Sequence, residues 1–458
     1  MRRDYGHMSG PNVESGFSTR NNRGKTPLST QISISKERAT LAEKLQKVKQ
    51  LYPGPFFDQN PQKLYHQAMQ LFTVLGNHPR LSLLEWKAVT NADPAVSSEE
   101  IAIFDDVEEK PEVLQKRLAG IQKIGIIIGS FIREDQKELV EFLAQSLIAE
   151  EKEGRLLLGL SVYNMGDKPS ADYWRNKSQS LGLSVKTALK DQGYSARLVV
   201  SKDKTLSSAA IAKNDLLARG CEFVILPTKD KVYIGKTETI QDFEDWSHRD
   251  FDRPARNAKQ GMLPPKLARM MLNLAGDITD KTILDPFCGS STVLMEAGLI
   301  GCEKMIGSDV NEQAIKDSEE NLAWISEQQE LPPFSLFVSA AKNLEAHIEK
   351  ESVDIVVTEP FLGRPRTGYE VEETIQATIR DLNSIYRESF SAIYKVMKPG
   401  GVIVVAFPVH CIQKKRFETK GLEIMQELGF DLGDFPANIL YQRDDQFVGR
   451  HIVRFIKK

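Results

Sequence analysis

Strand-like and helix-like segments alternate from Thr282 to the C-terminus, and this alternation constrains the fold more than any other feature. The strand-like segments are TILDPF, MIGSDV, SLFVSA, VDIVVTEPF, GGVIVVAFP and HIVRFIK, with stretches of helical length between them. Strands separated by helices are typical of a mostly parallel sheet with helices on both faces. The sequence therefore predicts a doubly wound α/β domain over residues 250–458, with its chemistry at the carboxyl ends of the strands.

The length and composition indicate a globular protein with several domains. At roughly 150 residues per domain, the 458 residues predict about three domains. Hydrophobic residues make up 41% and charged residues 27% of the chain, which is usual for globular proteins. No apolar run reaches the roughly 18 residues of a membrane span, and the N-terminus lacks the apolar segment of a signal peptide. We therefore expect a cytoplasmic protein without membrane association.

The cysteines and the net charge exclude further classes of protein. The four cysteines are widely spaced, without a C-x-x-C pair or nearby histidines, which argues against a zinc site and a disulfide framework. We therefore expect no metal. The net charge is −3, so any binding of nucleic acid would depend on local basic patches.

Three segments precede the α/β domain. Residues 1–60 combine a polar tail, expected to be disordered, with a short amphipathic helix. Residues 61–128 predict a small α+β unit in which Ser82 and Glu85 form a capping box at the start of a helix. Residues 129–241 predict a second α+β unit, which ends in a hairpin with the turn TKDK.

Basic residues are concentrated at the junction before the α/β domain and on the second α+β unit. The junction WSHRDFDRPARNAKQGMLPPKLARMM carries Arg249, Arg253, Arg256, Lys259, Lys266 and Arg269. The second unit carries Lys186, Lys190, Arg197, Lys202 and Lys204. Basic and aromatic residues at the junction suit phosphate neutralisation and base stacking. The alternatives are an interdomain strap whose arginines pair with acids, and a merely solvated face on the second unit.

The first two strand ends predict a nucleoside cofactor. The segment ILDPFCGSSTVLMEAGL reads as a strand, a glycine-bearing turn and a helix, without the glycine patterns of a P-loop or a dinucleotide site. The next strand ends in GSDVN, where an acid can bind ribose hydroxyls. S-adenosylmethionine, a nucleoside without phosphates, fits this pattern, with Asp285 towards its ammonium group and Asp309 towards its ribose.

The motifs LDPFCGSSTVLMEA, GSDVN, VDIVVTEPFLGRP and MKPGGVIVVAFP resemble those of class I S-adenosylmethionine-dependent methyltransferases in order and spacing. The stretch RDFDRPARNAKQGMLPPKLARMMLNLAG resembles the start of the catalytic domain in the archaeal-type tRNA guanosine-10 N2-methyltransferases. That resemblance covers about residues 63–458. It implies a Rossmann-like methyltransferase domain preceded by a ferredoxin-like domain (61–128) and an RNA-binding THUMP-like domain (129–241). It also implies S-adenosylmethionine as cofactor and tRNA as partner, and we expect a monomer or weak dimer.

The fourth strand end supplies the candidate catalytic residues. Where the family has Asp-Pro-Pro-Tyr, this chain has Glu359, Pro360, Phe361 and Leu362. The carboxylate and the proline carbonyl can accept the N–H groups of a target amine, and the aromatic ring can stack on the base. Phe361 stands either at a proline position or, if one proline is deleted, at the tyrosine position.

Two further departures from the family pattern concern the cofactor. Ser291 stands at the second glycine of the first motif, and Ala340 at the acid of the third. The candidate cofactor-binding residues are Asp285, Phe287, Gly289, Ser290, Asp309, Asn311 and Ala340. The candidate RNA-binding residues are Arg253, Arg256, Lys259, Lys266, Arg364 and Arg366.

These residues predict methyl transfer to an exocyclic base nitrogen, with guanine N2 of tRNA as the target. Two alternatives stay open from the sequence. The first is a DNA methyltransferase acting on adenine N6 or cytosine N4, which would use the same fourth-motif chemistry. The second is a catalytically degenerate RNA-binding homologue, which the altered motifs would explain.

Overall fold

Eight strands between residues 71 and 240 form one mixed sheet in the computed structural model, which describes residues 70–132, 136–256, 262–413, 415–443 and 446–458. These residues belong to the unit Ala68–Lys458, and the tail and helix predicted for residues 1–60 lie outside the described residues. The elements of this sheet region are, in chain order, β1 (Leu71–Leu75), α1 (Pro79–Thr90), β2 (Val96–Ser97), β3 (Ile101–Phe104), α2 (Pro111–Arg117), β4 (Ile121–Ile132), α3 (Gln136–Ile148), β5 (Leu156–Val162), α4 (Lys168–Asp191), β6 (Ala196–Val199), α5 (Ser208–Lys213), α6 (Leu216–Arg219), β7 (Gly220–Pro227) and β8 (Lys231–Ile240). The strand order is β2-β3-β1-β4-β8-β7-β5-β6.

Strand β4 joins the two predicted α+β units in this one sheet. It pairs antiparallel with β1 on one side and with β8 on the other, so the boundary drawn between residues 128 and 129 falls inside a strand. The predicted hairpin is present as β7 and β8, closed by a hydrogen bond from Thr228 N to the Lys231 carbonyl (2.8 Å). Between β6 and β7 the chain forms two short helices, α5 and α6, because Asp215 between them has a left-handed backbone (φ 53°).

Helix α1 begins at Pro79, so the predicted capping box of Ser82 and Glu85 is wrong. Proline is favoured at the first helical position because its missing N–H needs no partner there. Glu85 is fully buried and accepts hydrogen bonds from the Gly120 backbone N–H (2.7 Å) and from Nδ2 of Asn273 (2.7 Å). Its carboxylate therefore links α1 to the α2–β4 turn and to the C-terminal part of the chain.

The C-terminal region contains a second sheet with helices on both faces. Its elements are α7 (Phe243–Ser247) with a π-helical turn (His248–Asp252), α8 (Pro265–Leu274), β9 (Thr282–Asp285), α9 (Thr292–Ile300), β10 (Lys304–Asp309), α10 (Glu312–Ser326), β11 (Phe334–Val338), a 3₁₀ helix (Ala341–Ala346), β12 (Val353–Thr358), α11 (Glu372–Val396), β13 (Met397–Ile412), β14 (Lys415–Glu418), α12 (Gly421–Glu427), β15 (Phe430–Asp431), β16 (Ile439–Tyr441) and β17 (Val448–Lys457). No helix in the described ranges is long and apolar enough to cross a membrane.

The predicted doubly wound sheet is confirmed, in the order β11-β10-β9-β12-β13-β17-β15. Strands β9 to β13 run parallel, and β17 is antiparallel to β13. Alternate residues of each strand enter different cores, as the period of a strand requires. Ile283 and Val404 pack with α8, α9 and α10, whereas Leu284 and Val405 pack with α11 and α12. A full helix predicted between β11 and β12 is only the 3₁₀ helix.

A buried ionic cluster ties the basic junction to helix α9. The Glu296 carboxylate accepts from Nε of Arg249 (2.8 Å) and Nε of Arg269 (2.8 Å), and all three side chains are buried. The Arg249 guanidinium also lies 4.2 Å from the ring of Trp246. A buried carboxylate needs such partners because its desolvation is costly. These contacts favour the strap interpretation of the junction for Arg249 and Arg269.

Candidate active site

Asp285 is a buried carboxylate at the end of β9, held by neutral donors. It is 2% exposed and accepts from the Thr358 hydroxyl (2.7 Å) and from the Phe287 backbone N–H (3.2 Å). Burial raises the pKa of Asp285 to about 7, although these hydrogen bonds oppose the shift. Among the described residues, neither partner is a cation. Asp285 therefore lacks the charge compensation that a buried carboxylate usually has.

Asp309 reaches the same edge of the sheet from the end of β10. Its two oxygens accept from the backbone N–H groups of Gly289 (3.1 Å) and Asn311 (2.9 Å). Gly289 has a left-handed backbone (φ 53°), and a Cβ added there would meet no atom within 4 Å. The backbone turn thus favours glycine, and the space beside it is open. The predicted pair of Asp285 and Asp309 is brought together, and the charge of Asp309 contributes to the raised pKa of Asp285.

The remaining cofactor candidates are engaged in other contacts. The Asn311 side chain caps α10 by accepting from the Gln313 backbone N–H (3.0 Å), and the Ser290 hydroxyl lies 3.6 Å from the sulfur of Met262. Ala340 precedes the 3₁₀ helix and offers only backbone groups, its carbonyl accepting from Asn343 N (2.8 Å). Cofactor contacts by these side chains stay predictions.

Ser291 shows what the missing second glycine does to the loop. It has a left-handed backbone (φ 63°), a conformation that glycine adopts without strain. Its hydroxyl is fully buried and has no hydrogen-bond partner within the described residues. The loop therefore keeps the glycine-type conformation with a serine in it.

Glu359, at the end of β12, forms an ion pair with Arg450 of β17. Nε of Arg450 donates to Oε1, and Nη2 lies 3.5 Å from Oε2. The Glu359 side chain is 13% exposed, and that of Arg450 is buried. Burial raises the pKa of Glu359, and the Arg450 guanidinium lowers it. The candidate catalytic carboxylate thus has a cationic partner that the sequence did not reveal.

The turn after Glu359 is held by buried contacts on one side and exposes Phe361 to solvent on the other. Pro360 is buried, and the carbonyl of Phe361 accepts from the hydroxyl of the buried Tyr386 (2.7 Å). The ring of Phe361 is 49% exposed, as a residue that stacks on a base would need to be. The Thr358 hydroxyl donates to Asp285, and Glu359 is the residue after Thr358. The candidate cofactor site and the candidate catalytic turn are therefore connected through Thr358.

Sequence reasoning missed Arg450, Tyr386 and His410. The only signal for Arg450 was a charged residue within the apolar pattern of the last strand. His410 is buried on β13, and neither ring nitrogen has a partner in the described part of the chain. Burial, with the nearby Arg366 charge, lowers the pKa of His410 to about 4, so it is neutral. Its ring lies beside the turn at Gly363, where an added Cβ would be 3.7 Å from Cε1.

Three of the predicted RNA-binding residues have intramolecular hydrogen-bond partners. Arg253 is only 2% exposed and donates to the Thr292 hydroxyl (2.6 Å), so its position argues against RNA contact. Lys266 donates to Oε1 of Gln241. Arg366 donates to the carbonyl of Cys411 (2.7 Å) and ties down the loop after Phe361. These side chains stabilise the fold around the site.

The other three basic candidates are Arg256, Arg364 and Lys259. Arg256 is exposed, with its guanidinium 4.8 Å from the ring of Phe251. Arg364 is exposed in the loop after Phe361. Lys259 lies outside the described residues. Of the six, Arg256, Lys266 and Arg364 are exposed in the structure.

Residues 253–431 match the family model described as RMKL-like, methyltransferase domain. Together, this match and the doubly wound sheet make the C-terminal region similar to class I methyltransferase domains, whose methyl donor is S-adenosylmethionine. The residues present fit this cofactor: Asp285 lacks a cationic partner among the described residues, and the space beside Gly289 is open.

Among methyltransferases, the chain is similar to enzymes that modify tRNA. The tRNA (guanine(10)-N2)-dimethyltransferase of Methanothermobacter thermautotrophicus is 27% identical over 349 residues, covering 74% of this chain and 89% of the relative. The enzyme of the same name from Methanocaldococcus jannaschii is 29% identical over 210 residues, covering 46% of this chain and about half of its own length (54%). The crystal structure of TrmN from Thermus thermophilus has a TM-score of 0.48 at 17% identity, covering 85% of this chain and 100% of that chain. The resemblance to this group of methyltransferases is confirmed, and the THUMP-like module stays a prediction.

Proposed function

We propose that the protein transfers a methyl group from S-adenosylmethionine to the exocyclic N2 amine of a guanine in tRNA. The observation that carries the proposal is the Glu359-Pro360-Phe361 turn, which shares the Thr358 framework with the buried Asp285. The similarity to archaeal tRNA (guanine(10)-N2)-dimethyltransferases supports tRNA as the substrate. A tRNA substrate would place the enzyme in the cytoplasm, and a monomer or weak dimer stays our expectation.

The chain's own groups would act on both sides of the reaction. Asp285 would pair with the ammonium group of the cofactor, and Asp309 would accept from its ribose hydroxyls. When bound, S-adenosylmethionine supplies the methyl group to be transferred. The Glu359 carboxylate and the Pro360 carbonyl would accept the two N–H bonds of the target amine. These acceptors stabilise the positive charge that develops on nitrogen, and they hold the amine in line with the methyl group.

The N-terminal sheet is proposed to bind the body of the RNA. The basic residues of its second half lie on α4, on β6 and in the loop that follows β6, and most of them are exposed: Lys186, Lys190, Arg197 and Lys202 are exposed and Lys204 is half-buried. Exposed cations at such spacing can neutralise successive phosphates. We propose that these residues bind RNA together with Arg256 and Arg364, which are nearer the candidate active site in sequence. The division of the N-terminal sheet into a ferredoxin-like and a THUMP-like domain belongs to the same proposal.

The test is methyl transfer from labelled S-adenosylmethionine to total RNA and, in parallel, to DNA. After digestion to nucleosides, we expect the label in N2-methylated guanosine from the tRNA fraction. Label on adenine or cytosine of DNA would support the DNA methyltransferase alternative instead. Absence of label from both nucleic acids would overturn the proposal. Calorimetric titration with S-adenosylhomocysteine would then show whether the chain binds cofactor at all.

A further inference from the structure

The guanidinium of Arg450 forms an ion pair with the candidate catalytic carboxylate, Glu359. We propose that Arg450 is a positioning residue that holds the Glu359 carboxylate in the orientation needed to accept from the target amine. This inference rests on the proposed function and adds a residue that lies 91 positions after Glu359 in the sequence. Arg450 lies on β17, and Glu359 follows β12, so β13 separates their strands in the sheet.

The geometry of the pair leaves room for a substrate. Arg450 donates Nε to one oxygen of Glu359, and its Nη2 is 3.5 Å from the other oxygen. A carboxylate has about four acceptor directions, two on each oxygen, so a side-on guanidinium leaves others free. The third nitrogen, Nη1, lies 3.4 Å from Oε1 of Gln446 and is directed away from Glu359. The pair can therefore persist while the carboxylate accepts from an amine.

A longer acid explains why such a partner is useful. Glutamate has one more rotatable bond than the aspartate of the family motif, so its carboxylate can take more orientations. A planar guanidinium orients a carboxylate better than an ammonium group, because its donors lie in a fixed fork. Displacement of a reacting group by about 1 Å can cost roughly 10²-fold in rate. The arginine offsets the added freedom of Glu359.

Arg450 is itself held on both sides of its strand. Its backbone is opposite Pro408 of β13 on one side and opposite Tyr441 of β16 on the other. The Tyr441 ring in turn lies 4.1 Å from the ring of His78, at the start of α1. A strand flanked on both edges is a rigid base for a positioning side chain.

The pair also predicts a change in the pH dependence of the rate. Ionised Glu359 is the accepting form, so the rate declines as the pH falls through its pKa. Because Arg450 lowers that pKa, loss of the guanidinium moves the acidic limb to higher pH. Among the described residues, the other ionisable groups that interact with Glu359 are Asp285 of β9 and the Tyr386 hydroxyl of α11, and both stay in place in the variant.

The experiment compares Arg450→Met, Arg450→Lys and the control Arg454→Met in the full-length protein. Arg454 is a partly buried arginine four residues further along β17. Single-turnover methyl transfer to tRNA is measured from pH 5 to 9, together with affinity for S-adenosylhomocysteine. Arg450→Met should lower the rate by about 10²-fold and move the acidic limb upward, with cofactor affinity unchanged. Arg450→Lys should keep the limb near its parental pH but restore only part of the rate, and the control should match the parent.

The outcomes separate this inference from the proposed function. A parent that methylates tRNA while Arg450→Met keeps the parental rate and pH profile would overturn the positioning role alone. Equal losses in Arg450→Met and Arg454→Met would also overturn it, because they would indicate a general effect of strand β17. A folded parent that methylates no nucleic acid would overturn the proposed function and the positioning role with it. If Arg450→Met does not fold, Arg450→Lys decides, since a parental rate in that variant contradicts the need for a planar fork.

Discussion

Two carboxylates stand at the ends of neighbouring strands in this domain, one buried and one half-buried, and they have different hydrogen-bond partners. Asp285, at the end of β9, is held by a hydroxyl and a backbone N–H. Glu359, just past β12, is held by the guanidinium of Arg450. Burial favours the protonated form of both acids, but only at Glu359 does a cationic side chain oppose it.

The difference in partners indicates different roles for Asp285 and Glu359. A buried carboxylate without a cation is incomplete, and binding of a positive group such as the ammonium of S-adenosylmethionine would complete it. A carboxylate with a permanent cation needs no further charge partner, so its free acceptor positions are available to a reacting amine. We therefore expect changes at Asp285 to affect cofactor binding and changes at Glu359 to affect the rate.

The largest expected effect is that of Glu359→Gln on the rate of methyl transfer. If the carboxylate stabilises charge mainly in the transition state, its loss should cut turnover by about 10²–10³-fold. Affinity for S-adenosylhomocysteine should stay nearly intact, because interactions made only in the transition state do not contribute to ground-state binding. Single-turnover kinetics and calorimetry on the same preparation measure the two quantities.

Glu359→Asp is the matched variant, since it keeps the charge and shortens the reach. It should retain more activity than Glu359→Gln if charge matters most, and less if the contact with Arg450 sets the geometry. A Glu359→Gln enzyme with parental turnover would remove the proposed distinction between the two acids.

The next effect is on cofactor binding in Asp285→Asn. Loss of one charge-assisted hydrogen bond should weaken S-adenosylhomocysteine binding by about 1.5–3 kcal/mol. The pH dependence provides the sharper measurement. The pKa of Asp285 in the free protein is about 7, so below that pH the carboxyl must lose a proton before it can pair with the ammonium group. Affinity should therefore fall by up to about tenfold per unit as the pH drops below 7.

Asp285→Asn should abolish this pH dependence as well as weaken binding. Titration calorimetry between pH 5.5 and 8 in buffers of different ionisation enthalpy also detects the proton released on binding. A parent whose affinity is flat over this range would show that Asp285 does not change its ionisation on binding. The comparison of the two acids would then rest on geometry alone.

A smaller effect is expected for Phe361→Ala on RNA binding. Stacking of a base on an aromatic ring contributes about 1–3 kcal/mol, and the Phe361 ring is half exposed beside Glu359. The KM for tRNA should therefore rise while affinity for S-adenosylhomocysteine stays at the parental value. Phe361→Tyr keeps the ring and should restore the KM. An unchanged KM in Phe361→Ala would show that the base does not stack there.

The sequence predicted the candidate cofactor residues, Asp285 and Asp309, better than the surroundings of the candidate catalytic Glu359. Asp285 and Asp309 end strands that adjoin in the parallel sheet, so local patterns were enough to bring them together. Arg450 lies 91 residues beyond Glu359, on an antiparallel strand whose place next to β13 no local pattern specifies. The capping box at Ser82 failed for a similar reason: Glu85 is used by tertiary partners, Gly120 and Asn273, which propensity rules do not contain.

The smallest expected effect concerns stability and belongs to Ser291→Gly. Ser291 has a left-handed backbone, and its buried hydroxyl has no partner among the described residues. Glycine removes both costs, although it adds conformational freedom to the unfolded chain. We therefore expect the free energy of unfolding to rise by about 1 kcal/mol, as measured by urea denaturation without cofactor.

Ser291→Ala separates the two costs, because it removes the hydroxyl and keeps the strained backbone. A gain in both variants would assign the cost to the hydroxyl, and a gain in the glycine variant alone would assign it to the backbone. If neither variant is more stable, the serine is well accommodated, and the departure from the glycine motif leaves the cofactor edge unstrained.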